Sequence, residues 1–159
     1  MIDFAAVLGL LVRSGVEFVV VGGTAATIHG SARLTSDLDI VYRRTPENMR
    51  RLVTALAAHR PYLRGAPPGL PFRWDEDTLR RGLNFTLTTA LGDIDLLGEI
   101  AGGGRYESLH PRSVAVTVFG VACLCPDLET LIALKRAAGR PKDLEAIAEL
   151  ESLRDERQG

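Results

Sequence analysis

This chain of 159 residues is long enough for one domain with its own hydrophobic core. Apolar residues make up 46% of the chain and charged residues 25%, which is the usual balance of a globular protein in water. Because the formal net charge is only −1, no overall basic field indicates a nucleic-acid partner.

The first part of the chain alternates between helical and strand patterns. Apolar residues recur at helical spacing near the N-terminus, and compact β-branched runs follow. Thr45-Pro46-Glu47 has the composition of a helix start, with a capping residue, a proline and an acid in order. The predicted elements are a helix over 3–14, a strand over 16–21, a helix over 24–29, a strand over 38–42 and a helix from 46 to about 59.

Strand patterns dominate the next part, and two helices close the chain. Residues 61–82 are rich in Pro, Gly and Arg and are interpreted mostly as loop, with a short edge strand at 72–74. The further predicted elements are strands over 84–89 and 93–97 as one hairpin, strands over 114–119 and 121–124 as another, and helices over 126–138 and from 141 to about 153. No linker or repeat interrupts this order, so residues 1–159 are predicted to form a single α+β (mixed α/β) domain around one central sheet.

Arginine is concentrated in the middle of the chain. Nine arginines lie between Tyr42 and Gly82, opposed by four acids. Such an excess is compatible with a patch for a polyanionic substrate or with solvated side chains on a helix and a loop.

No contact with a membrane is expected, because no apolar run approaches the length that spans a bilayer. The first residues also lack a basic leader and a small-residue cleavage site. Cys123 and Cys125 are too close for a favourable disulfide and lack partners at zinc-ligand spacing, so we interpret them as reduced thiols. These features predict a cytoplasmic protein.

The strongest chemical signal is a glycine pair after a strand, followed by two alternating carboxylates. Gly22 and Gly23 allow a sharp turn and the close approach of a ligand, and free amides at the start of the next helix, near Thr24, favour a phosphate. Asp37 and Asp39 alternate along a strand, so both carboxylates leave the same face with Cα atoms roughly 6.6 Å apart. Hard oxygen ligands at this spacing are suited to a pair of magnesium ions.

These residues resemble the signature of the nucleotidyltransferase superfamily typified by DNA polymerase β. The segment "VVVGGTAATIHGSARLTSDLDIVY" is similar to the stand-alone branch that includes the AbiEii-type toxins and the small MNT-type proteins. The segment "LETLIALKRAAGRPKDLEAIAEL" resembles the same branch. The resemblance implies a central mixed β-sheet flanked by helices. It also implies transfer of a nucleoside monophosphate from a nucleoside triphosphate, ATP being one candidate, to an acceptor hydroxyl.

The family uses a third carboxylate on a neighbouring strand, and this chain has two candidates. Asp93 and Asp95 alternate onto one face, and the family places this acid before a Leu-Leu-like pair, which favours Asp95. A contribution of Asp93 to the metal site stays open. By resemblance, Asp37 and Asp39 would bridge two Mg²⁺ ions, with Mn²⁺ as an alternative. Asp95 would hold the catalytic ion and assist deprotonation of the acceptor hydroxyl.

Further residues are predicted to contact the nucleotide. Arg33 and Thr35 precede the first acid, where a guanidinium or hydroxyl could meet phosphate oxygens, although a surface ion pair is an equal alternative for Arg33. By resemblance, Lys135 contacts the triphosphate; its alternative is a favourable charge near a helix C-terminus. The predicted nucleotide-binding residues are Gly22, Gly23, Thr24, Arg33, Thr35 and Lys135.

The acceptor could be a protein side chain, a tRNA end or a small molecule, and the first two would place the protein in a toxin–antitoxin or defence system. Since no second domain is predicted to hold an acceptor, a partner protein such as an antitoxin, or a homodimer, is a further hypothesis. The alternative function is a non-catalytic nucleotide-binding or partner-binding module. A dinucleotide-binding fold is excluded because the Gly-x-Gly-x-x-Gly pattern is missing.

Overall fold

The computed structural model describes residues 2–33 and 35–158, which form a mixed α+β domain. Its strands are β1 (Phe18–Val21), β2 (Leu38–Tyr42), β3 (Tyr62–Leu63), β4 (Asn84–Thr89), β5 (Gly92–Leu97), β6 (Ser113–Val118) and β7 (Val121–Pro126). Its helices are α1 (Phe4–Arg13), α2 (Gly22–Ile28), α3 (Pro46–Leu56), α4 (Glu76–Arg81), α5 (Tyr106–Leu109), α6 (Leu128–Ala138) and α7 (Pro141–Gln158). Short 3₁₀ turns follow α3 and α5.

Five strands form the central sheet in the order β1-β2-β5-β4-β3, and β6 pairs with β7 in a separate hairpin. β2 and β5 run parallel, whereas the other neighbours in the sheet are antiparallel. Across the middle of the sheet the register places Val21, Asp39, Asp95 and Thr86 side by side. The predicted central mixed sheet is therefore confirmed.

The two faces of the sheet have different roles. Leu38 and Ile40 of β2 and Ile94 and Leu96 of β5 are fully buried on one face, where α1 and α3 complete the main core. Because side chains alternate along a strand, Asp39 and Asp95 point to the opposite face. On that face, α5 and α6 pack against β1 and the neighbouring part of β2 in a smaller apolar cluster. Asp39 and Asp95 therefore lie beside the part of the sheet that these helices cover.

Four helices begin at side chains that satisfy amides of their first turn. The capping oxygen lies within 3.2 Å of the amide nitrogen in every case. Each cap supplies one of the partners that the first turn of a helix lacks, which explains where these helices start. The capping residues are Asp3, Thr45, Asp75 and Asp127.

Several predicted boundaries differ from the structure. The segment 72–74 forms no strand; instead, Trp74 packs by donating its indole N–H to the carbonyl of Val53 at 2.9 Å. The edge strand is β3, which is defined by backbone pairing with β4 rather than by a local pattern. Two short helices, α4 and α5, were not predicted, and α7 extends beyond residue 153 to Gln158. None of the described helices has the length and apolar character needed to cross a membrane.

The turn between β4 and β5 packs against the N-terminal segment, which permits a test of the hairpin. Gly92 has a φ of +117°, and a Cβ atom there would lie 2.4 Å from the Cα of Ile2. We expect Gly92→Ala to lower the free energy of unfolding by about 2–4 kcal/mol, from strain and overpacking together. Gly69→Ala is the matched control, because Gly69 has a φ of +88° but no neighbour within 4 Å. Equal losses in urea titrations would contradict the predicted packing contribution.

Candidate active site

Three carboxylates meet at the centre of the sheet. Asp37 lies in the turn before β2, Asp39 within β2, and Asp95 opposite Asp39 on the parallel strand β5. One oxygen from each carboxylate lies within 4.8 Å of the others. The structure therefore brings together the three acids that the sequence predicted, and Asp93 lies outside this group.

Two oxygens of this group lack hydrogen-bond partners. Asp39 Oδ1 and Asp95 Oδ1 are buried, and neither accepts a hydrogen bond from the part of the chain that the structure describes. Asp95 Oδ1 still has the guanidinium of Arg64 at 2.8 Å, so burial is most costly for Asp39 Oδ1, and a divalent cation would contact both atoms at once. The three acids are also the hard oxygen ligands that Mg²⁺ prefers, so the site fits the metal implied by the sequence.

The crowding of these acids alters the protonation of Asp39. Burial, followed by the neighbouring charges of Asp95 and Asp37, raises the pKa of Asp39 to about 7. The ammonium of Lys135 acts in the opposite direction. Without a cation the site therefore tends to hold a proton near neutral pH.

Gly22 makes room for Asp39. It is the first residue of α2, so the glycine pair lies within the helix and does not precede it as predicted. Its φ is +67°, and a Cβ atom there would lie 2.1 Å from Asp39 Oδ2. Any side chain at position 22 would therefore displace the central carboxylate of the group. At Gly23 a Cβ atom would approach the Thr35 hydroxyl to 3.0 Å, so the following loop also lies close to α2.

Two threonines hold the turn that carries Asp37. The hydroxyl of Thr35 donates to the Asp37 carbonyl at 3.1 Å, and that of Thr24 lies 3.5 Å from the same oxygen. Thr24 is buried, so its side chain supports the turn and does not line the cleft described next. Thr35 both supports the turn and lines that cleft.

A polar cleft of about 350 Å³ opens beside the three acids. Its wall combines the acids with both glycines of α2 and with basic side chains from the 31–36 loop, α6 and α7. A triphosphate that brings bound cations requires this combination, since phosphate oxygens need donors and the cations need carboxylates. The basic residues are Arg33, Lys135, Arg140 and Lys142.

Asp143 forms ion pairs with two of these basic side chains. It is fully buried at the start of α7, with its carboxylate 2.6 Å from Arg140 Nε and 3.5 Å from Lys135 Nζ. Burial alone would raise the pKa of Asp143, but the hydrogen bond and charge of Arg140, with the charge of Lys135, hold it below its ordinary value. The sequence alone does not place Asp143 beside these residues, because its pairing with Lys135 depends on how α6 packs against α7.

Arg33 forms ion pairs on the protein surface, and its contact with a phosphate stays a prediction. Its guanidinium lies 3.7 Å from Glu145 and 3.9 Å from Glu149 on α7, and it also lines the cleft. About half of the side chain is exposed, so these ion pairs contribute little to stability and leave the guanidinium accessible to a phosphate.

Arg64 is a further site residue that the sequence did not single out. It follows β3, and its guanidinium lies 2.8 Å from Asp95, 3.3 Å from Asp93 and 3.8 Å from Asp37. At the sequence level it was one of nine arginines in the middle of the chain. Only the pairing of β3 with β4 brings it to the acids, so no local signal could have identified it.

Comparisons with known proteins support the architecture. Solved structures share the fold, and two of them are described next, although no protein-family model and no curated protein matches the sequence. Lincomycin-bound LnuA, a lincosamide antibiotic adenylyltransferase, aligns over 94% of this chain and 95% of its own with a TM-score of 0.61 and 16% identity. An antigenic nucleotidyltransferase-like protein from Paracoccidioides brasiliensis aligns over 94% of this chain and 72% of its own, with a TM-score of 0.53 and 14% identity.

The chain has a nucleotidyltransferase fold. This finding confirms the fold that the resemblance implied. Membership of the AbiEii and MNT branch and the roles of individual site residues stay predictions, because likeness at this level of identity shows the fold alone.

In this nucleotidyltransferase fold, the position of Asp39 should depend on Gly22. We expect Gly22→Ala to weaken Mn²⁺ binding at least about tenfold, because a methyl group would push the Asp39 carboxylate out of the group. Isothermal titration calorimetry measures this affinity. Gly120→Ala is the matched control, since Gly120 has a similar φ of +78° and no neighbour within 4 Å. Unchanged affinity in Gly22→Ala would contradict the assigned role.

The raised pKa of Asp39 predicts that its replacement stabilises the metal-free protein. Unfolding restores an ordinary pKa of 3.8, so the ionisation of Asp39 lowers stability progressively as the pH rises from about 4 to about 7. Asn does not ionise, and Asp39→Asn should therefore melt at a higher temperature than the wild type at pH 8, with a gap that closes toward pH 4. The exposed Asp155→Asn is the control and should show no such gap. Thermal melts in a chelator across this pH range measure the difference.

Proposed function

We propose that this protein transfers a nucleoside monophosphate from a nucleoside triphosphate to an acceptor hydroxyl in a reaction that requires a divalent cation. The observation that carries the proposal is the grouping of Asp37, Asp39 and Asp95 at the edge of a cleft with basic residues on its wall. The nucleotidyltransferase fold supports this interpretation.

The acids would hold two Mg²⁺ ions, and Mn²⁺ also suits their oxygen ligands. When bound, these cations supply positive charge that stabilises the developing charge on the α-phosphate and lowers the pKa of the attacking hydroxyl. All three acids line the basic cleft. Asp95 lies beside β4 and, by the resemblance, would assist deprotonation of the acceptor hydroxyl.

The basic residues would hold the triphosphate. Lys135 and Arg140 are oriented by the buried Asp143, whereas Arg33 and Lys142 line the outer part of the cleft. In the transfer step, the acceptor oxygen forms a bond to the α-phosphorus, the bond from that phosphorus to the bridging oxygen breaks, and pyrophosphate leaves. The positive charges that bound the triphosphate also stabilise the departing pyrophosphate.

We propose a small molecule as the acceptor. LnuA is a lincosamide antibiotic adenylyltransferase, its structure contains lincomycin, and 95% of its chain is covered by this one. An acceptor of that size can be bound without a second domain. Protein and tRNA acceptors, with the toxin–antitoxin or defence role and the antitoxin or homodimer partner that they would imply, are the alternatives that the experiment below distinguishes.

A single labelling experiment tests the function and the class of acceptor. Each α-³²P-labelled triphosphate, ATP first, is incubated with Mg²⁺ and the protein in the presence of hydroxylated small molecules, tRNA or a cell lysate. Chromatography and gel electrophoresis then separate labelled small molecules, RNA and protein. Saturable nucleotide binding without pyrophosphate release in any mixture would instead favour a non-catalytic binding module.

The same assay ranks the carboxylates. We expect Asp39→Asn and Asp95→Asn to reduce transfer by at least about 100-fold, since each removes charge where the transition state needs it. Asp93→Asn should retain more activity than Asp95→Asn, because Asp93 lies outside the group of three acids. Equal losses in the Asp93 and Asp95 variants would contradict this ranking. Unchanged transfer in Asp39→Asn would contradict the proposed site.

A further inference from the structure

Arg64 is a cation of the chain itself that lies among the acids proposed to bind metal. Its Nη2 atom is 2.8 Å from Asp95 Oδ1, its Nη1 atom 3.8 Å from Asp37 Oδ2, and its Nε atom 3.3 Å from Asp93 Oδ2. The side chain is only 27% exposed, so solvent screens these contacts less than those of a surface ion pair. Two of the three proposed metal ligands therefore face an arginine.

The backbone, rather than the acids, fixes the position of Arg64. Its amide donates to the Thr86 carbonyl at 2.9 Å as the chain leaves β3. Its Nη2 atom donates to the Leu87 carbonyl at 2.8 Å. Asp95 Oδ1 receives no hydrogen bond despite its proximity to Nη2. The contact between Arg64 and Asp95 is thus a contact of charges that a cation could replace without breaking a hydrogen bond.

We propose that Arg64 is the built-in counter-ion of the metal-free site and competes with the divalent cation for Asp95 and Asp37. The proposal rests on the proposed function only in assuming that the three acids bind a divalent cation. Asp93 provides an alternative partner for the charge of Arg64, since its carboxylate lies 3.3 Å from Nε, likewise without a hydrogen bond, and is outside the group of three acids. When a cation occupies the group, Arg64 keeps its contacts with Leu87 and Asp93 and loses the attraction of the other two carboxylates.

This competition makes the nucleotide-free site a weak binder of metal. A divalent cation and an arginine repel each other at short range, so each acid neutralised by Arg64 is a poorer ligand. A triphosphate adds oxygen ligands of its own, which is how Mg²⁺ commonly enters nucleotide sites. Metal is therefore expected to bind tightly only together with the nucleotide.

The test is Mn²⁺ binding without nucleotide, measured by isothermal titration calorimetry and by the electron paramagnetic resonance signal of free Mn²⁺. We expect Arg64→Gln to bind Mn²⁺ about tenfold more tightly than the wild type, because the competing charge is gone. Arg64→Lys keeps the charge and should stay within about threefold of the wild type. Arg50→Gln is the control: it removes the same charge from an exposed pair with Glu76, and its affinity should not change.

A second set of variants separates a specific role from a general effect of charge. Asp93→Asn should weaken Mn²⁺ binding more in the wild-type background than in the Arg64→Gln background. Arg64 is present only in the wild-type background, where the loss of the Asp93 charge leaves Arg64 with a stronger attraction to Asp95. Equal weakening in the two backgrounds would overturn the role assigned to Asp93.

Unchanged or weaker Mn²⁺ binding by Arg64→Gln overturns the proposal, since it would show that Arg64 does not compete with the metal. If this variant does not fold without metal, its refolding is followed against Mn²⁺ concentration. Mn²⁺ should then restore the fold, and its failure to do so also overturns the proposal. Absence of Mn²⁺ binding by the wild type, with and without triphosphate, would overturn the metal-dependent function itself. Wild-type binding with no effect of Arg64→Gln would overturn this inference alone.

Discussion

Repulsion between carboxylates on two parallel strands is the constraint on which the site depends. The pairing of β2 with β5 places Asp39 beside Asp95, and the turn before β2 adds Asp37. The cost of this arrangement is visible in the raised pKa of Asp39 and in two buried carboxylate oxygens that accept no hydrogen bond from the described part of the chain. Such a cost is typical of a functional site, because the same crowding makes the acids good ligands for a divalent cation.

Neighbouring elements accommodate this crowding from three sides. On the side of α2, Gly22 leaves the space that Asp39 needs, and two threonines hold the turn of Asp37. On the side of α6 and α7, the buried Asp143 orients Lys135 and Arg140 toward the cleft. On the side of β3, Arg64 faces the acids directly. The site therefore has basic residues on the wall of the cleft and a separate arginine next to the acids.

These two groups of cations have different physical roles. Lys135 and Arg140 are paired with an acid that is not a proposed metal ligand, so they remain available to phosphate oxygens. Arg64 is paired with the proposed ligands themselves, so its charge opposes the arrival of a metal. This difference arises from the fold. The basic cleft is formed largely by residues of the helices, whereas Arg64 follows β3, the edge strand of the sheet opposite β1.

The proximity of Asp37 and Asp39 could be predicted from the sequence, because two acids two residues apart at the start of a strand are a local pattern. The strands β2, β4 and β5 and most helix starts were also predictable from hydrophobic runs and capping residues. The resemblance favoured Asp95 over Asp93 as the third acid, and the pairing of β2 with β5 brings Asp95 into the group. The burial of Thr24 and the proximity of Asp143 and Arg64 to the site depended on the tertiary structure. Each of these depends on contacts between residues distant in sequence, such as β2 with β5, β3 with β4 and α6 with α7, and no local pattern of residues specifies such contacts.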